Sequence, residues 1–197
     1  MSTVVAFLLV IRVFDRSGQS VTDRNAALRT AAAILRQADV AATWLDCSPS
    51  SPSPSACRSP LARGELVLRI TPSAAAQTPG RAALGYSLLT PDSAGGTLAT
   101  VFSDRVSWLA TAAGANRTTL LGRAAAHEIG HLLLGTNEHS AAGLMRAEWT
   151  ASELSRNRGQ DWQFSNRDRT RLRNSRAPGG DDTQLADVGP DAPDGAS

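Results

Sequence analysis

Every histidine of the chain falls in one stretch, AAAHEIGHLLLGTNEHSAAGLM, residues 124–145. His127 and His131 are four apart. On a helix that spacing puts them on one face, about one turn from each other. Two imidazoles so placed can bind one Zn²⁺ at about 2.0–2.1 Å. Glu128 is next round the helix and can reach a water on that metal. HExxH therefore has a mechanical meaning: two ligands plus a general base. With three His and five Glu in 197 residues, chance produces this arrangement on the order of once in a thousand such chains. Leu121, Ala125, Ile129, Leu132 and Leu133 fall on the side away from the histidines. They predict a helix packed on a core, with its metal face towards a cleft. Ala126 and Gly130 are small and leave room beside the ligands.

The stretch resembles the active-site segment of the metzincin clan of zinc peptidases, in its matrixin type. That family carries HExxHxxGxxH followed by a methionine in a tight turn beneath the metal. His127, Glu128 and His131 match the first three functional positions. Gly135 matches the glycine that ends the helix, His139 the third ligand, and Ser140 the serine after it. Met145 matches the turn methionine. The resemblance is strong over residues 120–146 and only architectural before residue 110. It implies a zinc-dependent endopeptidase acting on a peptide or protein substrate. Glu128 is then the base, His127, His131 and His139 are the metal ligands, and Met145 has a structural role. No tyrosine follows Met145, although some metzincins place one there.

The spacing departs from the family pattern. Gly135 stands one place late and His139 two places late, so Asn137 occupies the strictly equivalent third-ligand position. Asparagine is a poor zinc ligand beside imidazole. Glu138, Glu148 and Glu153 are further candidates, since a downstream glutamate is the third ligand in another zinc-peptidase class. That class leaves His139 and Met145 without a role. The expectation is His139, with the two extra residues absorbed by a longer helix end and a wider loop. A non-catalytic zinc-binding or interaction protein of the same fold is the alternative function. Retention of Glu128 argues against it, because a structural metal site needs no base.

The rest of the chain sets the frame. Residues 4–14, 40–46, 65–71, 84–89 and 96–102 read as strands, rich in branched and aromatic residues. Residues 20–38 show helical apolar spacing, and SDRVSWLATA begins another helix. Thr118 or Thr119 is the expected cap of the motif helix, which should stop at Gly135. TASEL and NRDRTRLRNS are later helices. The order predicts an α+β fold, α/β-sandwich-like, with a mixed, twisted sheet and the active-site helix packed on it. In the resembling family an edge strand borders the cleft, and residues 97–102 hold that place in the order of elements; an ordinary internal strand is the equal alternative.

Residues 1–176 are expected to form one domain, and 177–197 a disordered acidic tail. All 20 basic residues are arginine and precede residue 177, whereas five of the 18 acids lie beyond it. The first 176 residues thus carry 20 positive against 13 negative charges, a net of +7. The arginine-rich run 166–176 lacks interleaved aromatics and reads as a solvated helix face, so no specific nucleic-acid partner is expected. The apolar run 4–11 is too short for a membrane span and lacks the flanks of a signal peptide. Cys47 and Cys57 flank a Ser/Pro-rich loop and are expected to pair in an oxidising compartment. A secreted or extracytoplasmic monomer is the expectation.

Overall fold

The computed structural model describes residues 7–49, 54–73, 83–90 and 95–174. The acidic stretch 177–197 lies outside them. Five strands are numbered in chain order: β1 (Phe7–Asp15), β2 (Val40–Asp46), β3 (Glu65–Thr71), β4 (Gly85–Leu89) and β5 (Gly96–Phe102). Five helices follow the same convention: α1 (Val21–Arg36), α2 (Ser103–Ala113), α3 (Arg117–Leu134), α4 (Ala151–Arg156) and α5 (Asn166–Asn174). The fold is α+β, as the element order predicts.

The strands form one mixed sheet in the order β2-β1-β3-β5-β4. β1 runs parallel to β2 and β3, and β3 parallel to β5. Only β4 is antiparallel to its neighbour. Of the two positions open for residues 97–102, edge and interior, the structure has the interior one. They lie in an internal strand, and the edge belongs to β4. The order of elements misleads here because β5 inserts between β3 and β4, so the later strand is the inner one.

Alternation places Leu9, Ile11 and Val13 of β1, and Leu66, Leu68 and Ile70 of β3, in the core. There they meet Ala27, Leu28, Ala31, Ile34 and Leu35 of α1 and Leu120, Leu121, Ala125 and Ile129 of α3. Ser20 caps α1 by accepting from the Asp23 amide. Gly122 of α3 faces Ala27 and Thr30 of α1, and a methyl group there would collide with both. The two helices can therefore approach closely. Truncating a fully buried leucine such as Leu35 costs about 2–5 kcal/mol in a core of this kind.

Two features tie down the connection from β2 to β3. Cys47 and Cys57 are joined in a disulfide, with Cα atoms 5.5 Å apart. Buried Arg12 donates to the carbonyls of Ser59 (2.6 Å) and Pro60 (3.0 Å) and pairs with Glu65. Burying a guanidinium is costly unless acceptors meet its donors, and these three meet the two terminal nitrogens. None of the described helices is long and apolar enough to cross a membrane.

Candidate metal centre

α3 carries the motif, and its two ends are both fixed. The N-cap is Asn116, whose side chain accepts from the Thr119 amide at 2.8 Å. It starts the helix earlier than the threonines expected to do so, because asparagine caps at least as well as threonine. At the other end Gly135 takes the left-handed conformation, φ 63°, and its N–H bonds the His131 carbonyl. The helix lies deeper than an amphipathic reading allows. Both its core side and its histidine side are buried, and Leu133 is only partly so.

His127 and His131 are each steered by a carbonyl from the chain beyond the helix. The Nδ1–H of His127 donates to Leu144 O at 2.9 Å, and that of His131 to Thr136 O at 2.8 Å. Each ring thus spends its proton on Nδ1, and each Nε2 presents a lone pair. The two Nε2 atoms face each other at 3.0 Å. Two lone pairs repel at that distance unless a cation lies between them. Such spacing suits two nitrogens each about 2.0–2.1 Å from one zinc.

His139 closes the set. Its ring centroid lies 5.4 Å from that of His127 and 5.0 Å from that of His131. One ligand nitrogen from each of the three residues lies within 4.8 Å of the others, and no other metal-binding group of this kind occurs among the described residues. Three imidazoles are a donor set that can bind zinc. Burial pushes the His127 pKa down to about 3 and lowers that of His131; the neighbouring histidines push the same way, and the carbonyl hydrogen bonds oppose it. Both rings are therefore neutral near pH 7, the form that binds metal.

Asn137, Glu138 and Glu148 are exposed. Glu153 caps its own helix with Thr150 and pairs with Arg146 at 3.4 Å. None of the four joins the histidine group.

Glu128 is buried beside the ligands. Its Oε2 accepts from the Ser87 hydroxyl at 2.8 Å, and that hydroxyl also lies 2.7 Å from the Glu128 carbonyl. Burial raises the Glu128 pKa to about 7, with the Ser87 hydrogen bond opposing the shift. β4 makes room for this side chain. A methyl group on Gly85 would stand 2.3 Å from the Thr100 carbonyl of β5, 2.8 Å from Glu128 Oε1 and 2.9 Å from its Cγ. Gly85 and Ser87 are roles that the sequence reading missed. The only signal was a glycine inside a strand, which marks close approach by another group.

Met145 is fully buried beneath α3. A methyl on Gly130 would lie 2.6 Å from its sulfur and 2.8 Å from Phe164. The Ser140 amide donates to Met145 O at 2.8 Å, which closes the loop that carries His139. Trp149, also unforeseen, stands edge-on to His127 at 5.6 Å and to Trp162 at 5.3 Å. The Arg123 guanidinium covers Trp162 at 3.9 Å.

No protein-family model and no curated protein matches this sequence. Solved structures do match its fold. A zinc-dependent peptidase from Methanocorpusculum labreanum superposes with a TM-score of 0.54 at 18% identity, over 82% of this chain and 99% of the other. Archaemetzincin from Methanopyrus kandleri gives 0.56 at 13% identity, over 85% and 95%. The fold is shared with these proteins. At such identities the likeness concerns architecture alone.

Proposed function

We propose that the chain is a zinc-dependent endopeptidase, with His127, His131 and His139 as metal ligands and Glu128 as general base. One observation carries the reading: three imidazoles, the two helix-borne ones held neutral by burial, converge beside a buried carboxylate whose pKa stands near 7. Its likeness in fold to a zinc-dependent peptidase and to an archaemetzincin supports it. When bound, zinc supplies a Lewis acid that polarises a carbonyl and acidifies a water. Glu128 takes the proton of the attacking water and delivers it to the leaving amine. A pKa near the working pH suits both halves of that task. Ser87 holds the carboxylate in place throughout.

The substrate is an extended peptide. The outer side of β4 pairs with no strand among the described residues, and Tyr86 and Leu88 are exposed on it. A peptide added there by backbone hydrogen bonds would run past Gly85 and Ser87, the residues that hold Glu128. The Cys47–Cys57 bond supports action in an oxidising, extracytoplasmic setting.

Metal analysis of the parent and of Glu128→Gln, with peptide hydrolysis assayed on both, tests the reading. Both proteins should hold one zinc, and the variant should lose at least about 10²–10⁴-fold in kcat. A parent that holds zinc and cleaves no peptide is a non-catalytic zinc protein. A variant that cleaves as fast as the parent removes Glu128 from the mechanism.

A further inference from the structure

His139 is the weakly held member of the histidine group. It is exposed, and among the described residues no hydrogen bond holds its ring, whereas His127 and His131 are each steered through Nδ1. It also sits on the loop that carries the two extra residues relative to the metzincin pattern. A longer loop has more conformations to lose when its ligand is placed. Something must limit them if the ring is to meet the other two.

The next residue supplies the restraint. The Ser140 hydroxyl donates to Asp168 Oδ1 at 2.8 Å. Asp168 is 2% exposed and lies in the first turn of α5. Its other oxygen, Oδ2, accepts from the Ser165 hydroxyl at 2.7 Å and from the Ser165 amide at 3.2 Å. The Asp168 amide donates back to the Ser165 hydroxyl at 3.1 Å. One carboxylate therefore caps α5 and grips the ligand loop. α5 is itself anchored through fully buried Leu172. A second bond runs in the same direction: the Leu144 amide donates to Gln163 O at 2.7 Å, just before α5 begins.

We propose that Asp168 is a positioning residue for the metal site, acting through Ser140 to hold His139 in its ligating place and so offset the longer loop. The carboxylate touches neither metal nor substrate. Its effect is on the freedom of residue 139 before the metal arrives. The inference rests on the zinc reading above, and not on peptidase activity.

The test measures zinc affinity by competition with a chromophoric chelator, in the parent and in Ser140→Ala, Asp168→Asn and His139→Ala. Ser140→Ala removes one hydrogen bond and leaves the α5 cap intact, so it remains informative if Asp168→Asn folds poorly. Thermal unfolding of the zinc-free proteins reports folding separately. Ser140→Ala should weaken zinc about 10-fold, the lower end of what outer partners of a metal ligand contribute. In the His139→Ala background the same substitution should change affinity by less than about 2-fold, because the ligand it positions is gone. Unchanged affinity in Ser140→Ala overturns the proposal, as does an equal loss with and without His139. A parent that binds no zinc overturns the metal reading and this inference together; a parent that binds zinc beside unaffected variants overturns the inference alone.

Discussion

The candidate centre has a helix-borne half and a loop-borne half, and they are built differently. His127, Glu128 and His131 project from one capped helix, so a single rigid backbone sets their mutual spacing. Each of the three also has a hydrogen-bond partner from outside that helix: Leu144, Ser87 and Thr136. His139 has a loop, an exposed ring and a neighbour tied to α5. A helix fixes ligand geometry through local backbone bonds. A loop does so only through contacts distant in sequence. The first half can be read from spacing, and the second exists only once the chain is folded.

The largest expected difference between the halves is in metal affinity. His127→Ala should abolish zinc binding at micromolar metal, since it leaves His131 steered and His139 unsteered. His139→Ala should also lose most affinity, but residual binding through the helix pair should remain measurable. Asn137→Ala should stay within about 2-fold of the parent, within the scatter of a surface change. Calorimetric titration of the three variants checks this. Equal affinity in the His139→Ala variant and the parent would erase the distinction and reopen the third-ligand position.

A smaller effect sharpens the helix-borne half. Gly85→Ala places a methyl where the Glu128 side chain now lies. The same methyl would stand 2.3 Å from the Thr100 carbonyl, so the carboxylate and β4 must both give way while α3 keeps its two imidazoles. The expected result is a loss of roughly 10²-fold in kcat from misplacement of the base, with zinc content unchanged. Loss of zinc along with activity would mean that β4 supports the ligands as well as the base.

The smallest effect is on stability against pH. His127 has a folded pKa of about 3 against 6.5 for the free side chain, so the unfolded chain binds a proton in that window and the folded chain does not. Its contribution is fully present above pH 6.5 and is lost as pH falls towards 3. Glu128 acts with the opposite sign. Its pKa is raised from 4.5 to about 7, so it destabilises the folded state above that range and is relieved as pH falls. Zinc-free Glu128→Gln should therefore lose stability more steeply between pH 7 and 5 than the zinc-free parent. Urea midpoints at the two pH values decide it, and parallel slopes would mean that Glu128 is not held protonated by burial.

Periodicity and composition alone carried the α+β class, all five strands and the principal helices, because alternation and 3.6-residue spacing are local properties of the chain. They also carried His127, Glu128 and His131, whose meaning lies within one helical turn. The choice of His139 came from resemblance rather than spacing, since the loop is two residues longer than the pattern. What tertiary structure decided was everything resting on neighbours distant in sequence. It set β4, and not β5, at the sheet edge. It brought Gly85 and Ser87 against Glu128 and set Trp149 edge-on to His127. It also put Asp168 under the loop that delivers His139. Strand order and cross-chain hydrogen bonds depend on which surfaces meet when the core closes, and the residues on those surfaces bear no local mark of their partners.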